Sequence, residues 1–543
     1  MKLDFNTPEP QADLEAWKSL VGKTEPFETR SSKLTRVDDS DITYPLVAQE
    51  SQSQDIHPIG DPGLFSARLG KAPTWDVRAI LSLSDERQGN LSILDALTHG
   101  ATSLEFRVRE LKELSVDALF QGVTPSFVDV VLVVEKQDTQ SDLVGLATRL
   151  KDFKSCTFVS NDSKAAFPNC DPQRRIALSS LEAVDKGASP ALEIAYLLSA
   201  AVDYYRQGGA DAITGQQGPS LYLTTESTLF MNIAKLRVLK RLYAGVRSTM
   251  GVAHPWELMT LSSPRTWTRD APWNNQLRAT ASLMSGAIGG ATSIGVLPAT
   301  DTLESQRIAL TSHSVAALES NLGQVQDPAR GSYLIESLTH DLAQAAWSLF
   351  QSLEERGGIN APGGRENFEQ LAQEALAKRE QNIARRKRAF VGVSEFPSLE
   401  DAPSLPLSAL QNHSRDSLHF EAMRHQPQHS SLRLITLGSP ARHLARKTFA
   451  EHALAAGGFQ AETVDLEQAI SNSFDGIQVL CGHDDDYENA KEQIATLLKE
   501  NAAPTFIASK KALREEFPAA QRLHLGMNLL SFLQSISHAS KEG

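Results

Sequence analysis

The segment FVDVVLVVE, residues 127–135, is one of seven short β-type runs that alternate with helical patterns between Trp75 and about Glu355. The other six are WDVRAIL (75–81), SLEFRV (103–108), CTFVS (156–160), RRIALSS (174–180), ELMTLSS (257–263) and ATSIGVL (291–297). Most runs are followed by a helical pattern such as ALEIAYLLSAAVDYYRQ, residues 191–207. Strands that alternate with helices indicate a parallel sheet with helical crossovers, and nearly eight repeats in about 280 residues predict a closed (β/α)8 barrel.

The rest of the chain divides around this barrel. Two long amphipathic helices, predicted at 338–356 and 366–390, lead into a Pro- and Ser-rich connector. From LRLITLG (432–438) onward, strands and helices alternate again, which predicts a small flavodoxin-like doubly wound domain. The first 70 residues are polar, so we expect them to wrap a partner. The predicted division is an extension at 1–70, the barrel at 71–390, a linker at 391–430 and the doubly wound domain at 431–543.

The composition is that of an acidic globular protein. With 543 residues and 41% hydrophobic residues, the chain can bury at least two cores. Its net charge of −13 disfavours nucleic acid and anionic membranes as partners. Neither a signal peptide nor an apolar run of membrane-spanning length is evident, so we expect a cytoplasmic protein. The three cysteines, Cys156, Cys170 and Cys481, are expected to be reduced and structural.

Three longer segments, at 187–211, 272–295 and 325–359, resemble segments of the methylmalonyl-CoA mutase family. VGVSEFP (391–397) and FEAMR (420–424) then follow in the family's order, so the resemblance covers nearly the whole chain after residue 70. It implies a substrate barrel followed by a cobalamin-type domain. It also implies the interconversion of methylmalonyl-CoA and succinyl-CoA, a radical reaction whose chemistry belongs to adenosylcobalamin.

The resemblance also places the family's substrate-contacting residues on this sequence. A histidine and a glutamine of active chains fall on Glu182 and Val184, and neither replacement can donate a hydrogen bond to a thioester carbonyl. A His-Cys-Gln segment falls on Met259, Thr260 and Leu261, and the family's active-site tyrosine falls near Ile80. We therefore expect no catalytic residue in this barrel.

The family's cobalamin fingerprint, D-x-H-x-x-G at a strand-to-helix turn, falls on residues 441–446. His443 keeps the place of the cofactor-binding histidine that ligates cobalt. Ala441 replaces the carboxylate that orients the histidine, and Arg446 replaces the glycine that admits the cofactor. The later S-x-L and Gly-Gly elements correspond to LCGHDD (480–485) and IASKKA (507–512), which contain neither. We expect His443 to be an ordinary residue near a helix start, and no cofactor on this chain.

Four other motifs have competing interpretations. GHDDDYENAK (482–491) has metal-ligating side chains, but a solvated first helical turn is favoured. GAIGG (286–290) ends a helix, so close helix–strand packing is favoured over a phosphate loop. ARRKR (384–388) is predicted to be a solvated helix face rather than a site for CoA phosphates. Arg265 either keeps part of a substrate site or belongs to a structural loop.

These losses imply a chain similar to the small, non-catalytic subunit of heterodimeric methylmalonyl-CoA mutases. In such a complex a paralogous large subunit holds adenosylcobalamin and substrate. Two alternatives stay open at this point. One is an active adenosylcobalamin-dependent mutase of altered specificity that binds cobalamin through His443, and the other is a free-standing acyl-CoA binding module.

Overall fold

The structure is a computed structural model. It describes residues 14–23, 25–48, 73–135, 138–160, 174–214, 218–399, 413–426, 431–500, 504–509, 517–518 and 520–539. Within these residues no helix combines the length and the apolar composition that crossing a bilayer requires.

The N-terminal segment forms two short helices and a two-stranded antiparallel ribbon. These elements are α1 (Leu14–Val21), α2 (Phe27–Leu34), β1 (Arg36–Val37) and β2 (Thr43–Tyr44). Neither helix has a buried residue. In contrast, the turn between β1 and β2 packs on the barrel, because Ile42 is buried and the Ser40 hydroxyl accepts a hydrogen bond from the Ala191 amide. The predicted partner-wrapping extension therefore docks partly on its own chain, and its residues 1–13, 24 and 49–70 lie outside the described ones.

Eight parallel strands close into the predicted barrel. They are β3 (Asp76–Ile80), β4 (Ser103–Arg107), β5 (Asp129–Val134), β6 (Ser155–Ser160), β7 (Arg174–Ser179), β8 (Ser220–Thr225), β9 (Leu258–Ser262) and β10 (Ser293–Gly295). Seven of them coincide with the predicted runs, whereas β8 is absent from that set. Its Leu221 and Leu223 pack among the surrounding helices, and Tyr222 faces the opposite way, into the barrel.

Helices surround the barrel and continue beyond its last strand. They are α3 (Glu86–Thr98), α4 (Val108–Leu111), α5 (Val116–Leu119), α6 (Gln140–Arg149), α7 (Leu181–Asp185), α8 (Pro190–Thr214), α9 (Leu229–Thr249), α10 (Asn274–Ile288), α11 (Leu303–Ser314), α12 (Tyr333–Glu354) and α13 (Pro362–Ala384). The two long predicted helices correspond to α12 and α13. Large apolar clusters lie between these helices and the strands, as expected when helices cover a parallel sheet.

The predicted solvated helix face at 384–388 is wrong. Helix α13 ends at Ala384. Arg386 has a φ of 56°, a left-handed backbone conformation that is incompatible with a right-handed helix. The Arg386 guanidinium lies 4.9 Å from the ring centre of Phe449, and Arg388 forms ion pairs with Asp39 and Glu226. These arginines therefore connect parts of the fold instead of facing solvent.

The C-terminal part is a five-stranded parallel sheet with the predicted flavodoxin-like strand order, β12-β11-β13-β14-β15. Its strands are β11 (Leu432–Thr436), β12 (Ala461–Asp465), β13 (Ile477–Cys481), β14 (Thr505–Ala508) and β15 (Ala520–Leu523). Its helices are α15 (Pro440–Ala455), α16 (Leu466–Ser471), α17 (Asp484–Asn489), α18 (Lys491–Glu500) and α19 (Leu529–Ala539), preceded by α14 (Leu418–Arg424) in the connector. Val393 and Phe420, from the segment predicted as a linker, are buried in the core of this sheet.

Candidate functional site

The family resemblance predicts a substrate site in the barrel interior, next to β9. Met259 is paired laterally with Tyr222 of β8 and Ser293 of β10, and Leu261 is paired with Gly295. Because laterally paired residues share a face of the barrel, Met259 and Leu261 face the interior. Thr260 faces the opposite way, towards α10. The described structure thus places two apolar side chains at this level of the barrel.

A buried ion pair and a tyrosine fill the adjacent part of the interior, and we call Arg78, Glu105 and Tyr222 the interior cluster. The Arg78 Nε atom lies 2.8 Å from Glu105 Oε2, and the Tyr222 hydroxyl donates to both Glu105 oxygens at 3.0 and 3.1 Å. Arg78 also donates to the Ser293 hydroxyl at 2.7 Å, and its guanidinium lies 5.0 Å from the Tyr222 ring centre. The cluster therefore bridges β3, β4, β8 and β10 across the interior.

Burial dominates the electrostatics of the interior cluster. It raises the pKa of Glu105 above its ordinary value, although Arg78 and the Tyr222 hydroxyl oppose that rise. Burial and the neighbouring Glu105 carboxylate also hold the pKa of Tyr222 well above its usual range. These groups interact with one another inside a packed barrel, so they have the character of structural rather than proton-transferring residues.

Glu182 and Val184, two further replaced positions, lie in α7, the short helix that follows β7. The Glu182 carboxylate accepts a hydrogen bond from the Tyr196 hydroxyl at 3.1 Å and forms an ion pair with Arg365 of α13. Val184 is fully buried, and its carbonyl accepts from Arg265 at 3.3 Å. The Glu182 side chain thus connects α7 with α8 and α13, whereas the Val184 side chain is shielded from solvent.

Six charged residues cover the end of the barrel where the strands terminate, and we call them the mouth network. They are Asp39 of the N-terminal turn, Glu226 after β8, Arg265 after β9, Arg379 of α13, Arg388 after α13 and Asp416 of the connector. Active sites of such barrels lie at this carboxyl end of the strands. In this chain the position is occupied by three guanidiniums and three carboxylates that bind one another.

Glu226 is at the centre of the mouth network. Its Oε1 atom accepts from Arg265 at 2.8 Å and from Arg379 at 3.0 Å, and its Oε2 atom contacts Arg388. Burial alone would raise the pKa of Glu226, but the three guanidiniums outweigh it and hold that pKa well below its usual range. Arg265, which the sequence left open as a substrate contact, is buried and donates to Glu226 and to two carbonyl groups. Its hydrogen-bonding groups are therefore engaged within the chain.

In the C-terminal domain, His443 lies in the first turn of α15, as expected for a helix start. Its Nδ1 atom is 3.2 Å from the carbonyl oxygen of Gly438, which lies between β11 and α15. No group of three or more metal-ligating side chains occurs among the residues that the structure describes.

Two arginines of α15 close the crevice beside His443. Arg442 donates through Nε to both Asp486 oxygens at 2.8 and 2.9 Å. Arg446 donates to Asp484 at 2.6 Å and contacts the Gly482 carbonyl. We call these four charged residues the crevice clasp. It joins the first two turns of α15 and the first turn of α17, the helices that follow β11 and β13, and a domain of this topology binds its ligands in the crevice between those strand ends.

The residues of the crevice do not fit cobalamin. The family's bare glycine position carries the Arg446 side chain, which spans the crevice, and Ala441 supplies no carboxylate. The acidic turn at 482–491 begins a helix, as predicted, but it is only partly solvated. The side chains of Asp484 and Asp486 are each 13% exposed because the arginines of the crevice clasp cover them.

Two further sequence interpretations can be compared with the structure. A side chain at Gly286 would come within 3.0 Å of Ile294, and one at Gly289 within 2.5 Å of Leu236, so GAIGG does permit close packing. Cys156 and Cys481 are buried and form no disulfide, as expected, and Cys170 lies outside the described residues.

The interior cluster and most of the mouth network belong to no motif recognised in the sequence. A usable signal existed for Arg78 and Glu105, since each is a charged residue inside a predicted strand, in WDVRAIL and SLEFRV. The pairing of Arg379 with Asp39 and Glu226 leaves no local sequence pattern, because both carboxylates are distant from Arg379 in the chain.

Comparison with known proteins identifies the family of this chain. A sequence profile described as methylmalonyl-CoA mutase matches residues 159–474. The methylmalonyl-CoA mutase small subunit of Streptomyces virginiae is 28% identical, with 92% of this chain and 93% of that protein covered. The small subunit of Propionibacterium freudenreichii subsp. shermanii is 28% identical, with 88% and 85% covered. A probable small subunit of Mycobacterium tuberculosis is 32% identical, with 58% and 55% covered.

Proposed function

Because the chain belongs to the methylmalonyl-CoA mutase family, we propose that it is the small subunit of such a mutase and carries out no chemistry itself. Relatives named as small subunits align with it over most of their own length. The reaction of the complex is the interconversion of methylmalonyl-CoA and succinyl-CoA, and the activity of the complex is that of an isomerase.

The filled barrel interior carries the proposal. A substrate lying along the barrel axis would have to displace the Arg78–Glu105 ion pair, and both residues are buried. Breaking a buried pair is expensive because each charge loses its partner without gaining water. The interior cluster therefore favours a supporting role over an active mutase or a free-standing acyl-CoA module.

We place the cofactor on a large partner subunit. Adenosylcobalamin supplies the radical chemistry of the reaction when it is bound. The crevice clasp, which includes Arg446, leaves the C-terminal domain of this chain unsuited to that cofactor. The role left for this chain is to stabilise or position a paralogous large subunit in a heterodimer.

The test is to purify this chain alone, a candidate large subunit alone and the two together. We expect this chain alone to be colourless after incubation with adenosylcobalamin and inactive with methylmalonyl-CoA. We expect the pair to co-purify and to form succinyl-CoA. The variant Met259→Leu serves as a control, because a volume-conserving change inside a non-catalytic barrel should leave the turnover of the intact complex unchanged.

Two results would contradict the proposal. The first is micromolar cobalamin binding by the isolated chain that His443→Ala abolishes, which would favour the active-mutase alternative. The second is saturable binding of an acyl-CoA to the isolated chain without any interaction with a large subunit, which would favour the free-standing module.

A further inference from the structure

Arg379 joins three segments that are far apart in the sequence. Its Nε atom donates to Asp416 of the connector at 2.8 Å, and its Nη2 atom donates to Glu226 of the barrel at 3.0 Å. Its Nη1 atom contacts Asp39 of the N-terminal turn. Arg388 repeats part of this pattern, since it donates to Asp39 at 2.9 Å and contacts Glu226. Two neighbouring guanidiniums thus bridge the N-terminal turn and the connector.

The N-terminal turn docks at the barrel mouth through ionic, polar and apolar contacts. Besides Asp39, it uses the Ser40 hydroxyl, the buried side chain of Ile42, the Tyr44 side chain packed on the same apolar cluster, and the Asp41–Lys378 pair. The Asp41 side chain is 80% exposed, so that last pair is weak. Asp39, with a side chain that is 10% exposed, is therefore the better shielded of the two ionic contacts of this turn.

The connector links the barrel to the C-terminal domain. Its Asp416 amide donates to the Arg265 carbonyl at 2.9 Å, and Glu421 accepts from the Arg269 amide at 2.7 Å. On its other side, Phe420 and Met423 are buried in the core of the C-terminal sheet. The docking of this segment on the barrel therefore sets how the C-terminal domain is attached.

Charge balance makes the two dockings interdependent. Arg379 is buried, and the mouth network has three guanidiniums for three carboxylates. Loss of Asp39 from the mouth leaves an excess positive charge in a buried place, which only water can relieve. Water that reaches Arg379 also weakens its interaction with Asp416, because charge pairs are weaker in a medium of higher dielectric constant.

We propose that the mouth network couples the docking of the N-terminal turn, residues 36–44, to the docking of the connector, residues 413–426. Release of either segment loosens the other, and the effect is the same in both directions because a coupling free energy between sites is reciprocal. A partner chain that draws the N-terminal turn away from the barrel thereby loosens the attachment of the C-terminal domain. The coupling is a property of this chain and does not depend on the proposed function.

Amide hydrogen exchange of the full chain, read by mass spectrometry, tests the coupling. Asp39→Asn keeps the shape of the side chain and removes its charge, and Asp416→Asn does the same in the connector. We expect Asp39→Asn to raise exchange at 413–426 about tenfold, within the range of roughly 5 to 150-fold typical of coupled sites. We expect Asp416→Asn to raise exchange at 36–44 by a similar factor. The matched control Asp41→Asn, on the exposed side of the same turn, should change exchange at 413–426 less than about twofold.

Either of two patterns would overturn the proposal. One is faster exchange confined to the mutated segment in both variants. The other is a uniform rise that extends equally to strand β5, because a chain that is destabilised as a whole shows no selective link through Arg379. If Asp39→Asn cannot be purified, Asp416→Asn and its readout at 36–44 decide the question alone.

Discussion

The Tyr222 hydroxyl donates to both carboxylate oxygens of Glu105, at 3.0 and 3.1 Å, inside a barrel whose relatives include mutases. Arg78 approaches the same carboxylate from β3 at 2.8 Å. The three side chains bind one another where solvent or a ligand could otherwise lie. Their contribution can therefore be measured as a change in the free energy of unfolding.

Glu105→Ala should lower the free energy of unfolding by about 3–5 kcal/mol, because it leaves the buried Arg78 without its counter-charge. Urea denaturation of the isolated chain gives this quantity. Glu15→Ala, at the exposed Lys18–Glu15 pair, is the control and should change stability by less than about 1 kcal/mol. A loss below about 1 kcal/mol for Glu105→Ala would mean that the interior is hydrated and open.

Lys240 makes stability depend on pH in the alkaline range. It is buried, its Nζ atom donates to the Gly289 carbonyl at 2.9 Å, and burial lowers its pKa from 10.5 to about 7. Between pH 7 and 10.5 the unfolded chain therefore binds a proton that the folded chain does not. In this range the contribution of Lys240 to the free energy of unfolding rises with pH, by at most about 1.4 kcal/mol per pH unit. Below the pKa of the folded and of the unfolded chain this contribution is constant.

Lys240→Met removes this titration. Denaturation of both proteins at several pH values between 6 and 10 should show the wild type gaining stability on the variant as the pH rises above 7. Other lysines contribute equally to both proteins and cancel in the difference. Parallel stability curves for the two proteins across this range would show that Lys240 keeps an ordinary pKa.

Deletion of residues 1–34 should weaken binding of the large subunit at least tenfold. The deletion removes α1 and α2, which contain no buried residue, and it leaves Asp39 in place. Leu20 and Leu34 are 59% and 56% exposed, so these helices offer apolar surface to a partner. Titration calorimetry gives the affinity.

The isolated deletion variant should keep the stability of the full chain within about 0.5 kcal/mol, as expected for surface elements. Leu20→Ser combined with Leu34→Ser tests the same surface without shortening the chain. An unchanged dissociation constant for both variants would place the subunit interface elsewhere.

Ala441→Asp combined with Arg446→Gly restores the D-x-H-x-x-G pattern around His443. We expect no histidine-ligated cobalamin spectrum, because Arg442 still binds Asp486 across the crevice and the loop 480–485 is unchanged. Second-shell changes alter metal affinity by only about 10–100-fold. Loss of the Arg446–Asp484 pair should also lower stability by about 1–3 kcal/mol. Ala441→Asp alone is the control, and a histidine-ligated spectrum in the double variant would show that His443 is a competent ligand.

The barrel was largely predictable because its strands are short local patterns. SLEFRV and FVDVVLVVE carry enough β-type residues to be identified without knowledge of their neighbours. The strand that was missed, Ser220–Thr225, has four hydroxyl-bearing residues among its six and lies between two long helices. Its signal is the alternation of Leu221 and Leu223 with Tyr222 and Thr224.

The charge networks were not predictable in the same way. Arg379 and Asp39 are 340 positions apart, and no pattern within a window of the sequence relates them. The ion pairs that close the crevice of the C-terminal domain were likewise not predictable from local sequence. The sequence indicates that Arg446 replaces a glycine, but only the fold shows that its partner is Asp484, 38 residues away. Local residue types predict elements, whereas their pairing depends on the tertiary arrangement.

The ionic character of the mouth network has a consequence for heating. The stabilisation from apolar contacts increases little as the temperature rises. The hydration of separated charges becomes less favourable on heating, so the cost of burying an ion pair falls. The Asp39–Arg379–Asp416 contacts should therefore weaken less on warming than apolar packing of similar extent. In a thermal scan the N-terminal turn and the connector are expected to stay docked until the barrel itself unfolds, so that the two ends of the chain are released in one transition.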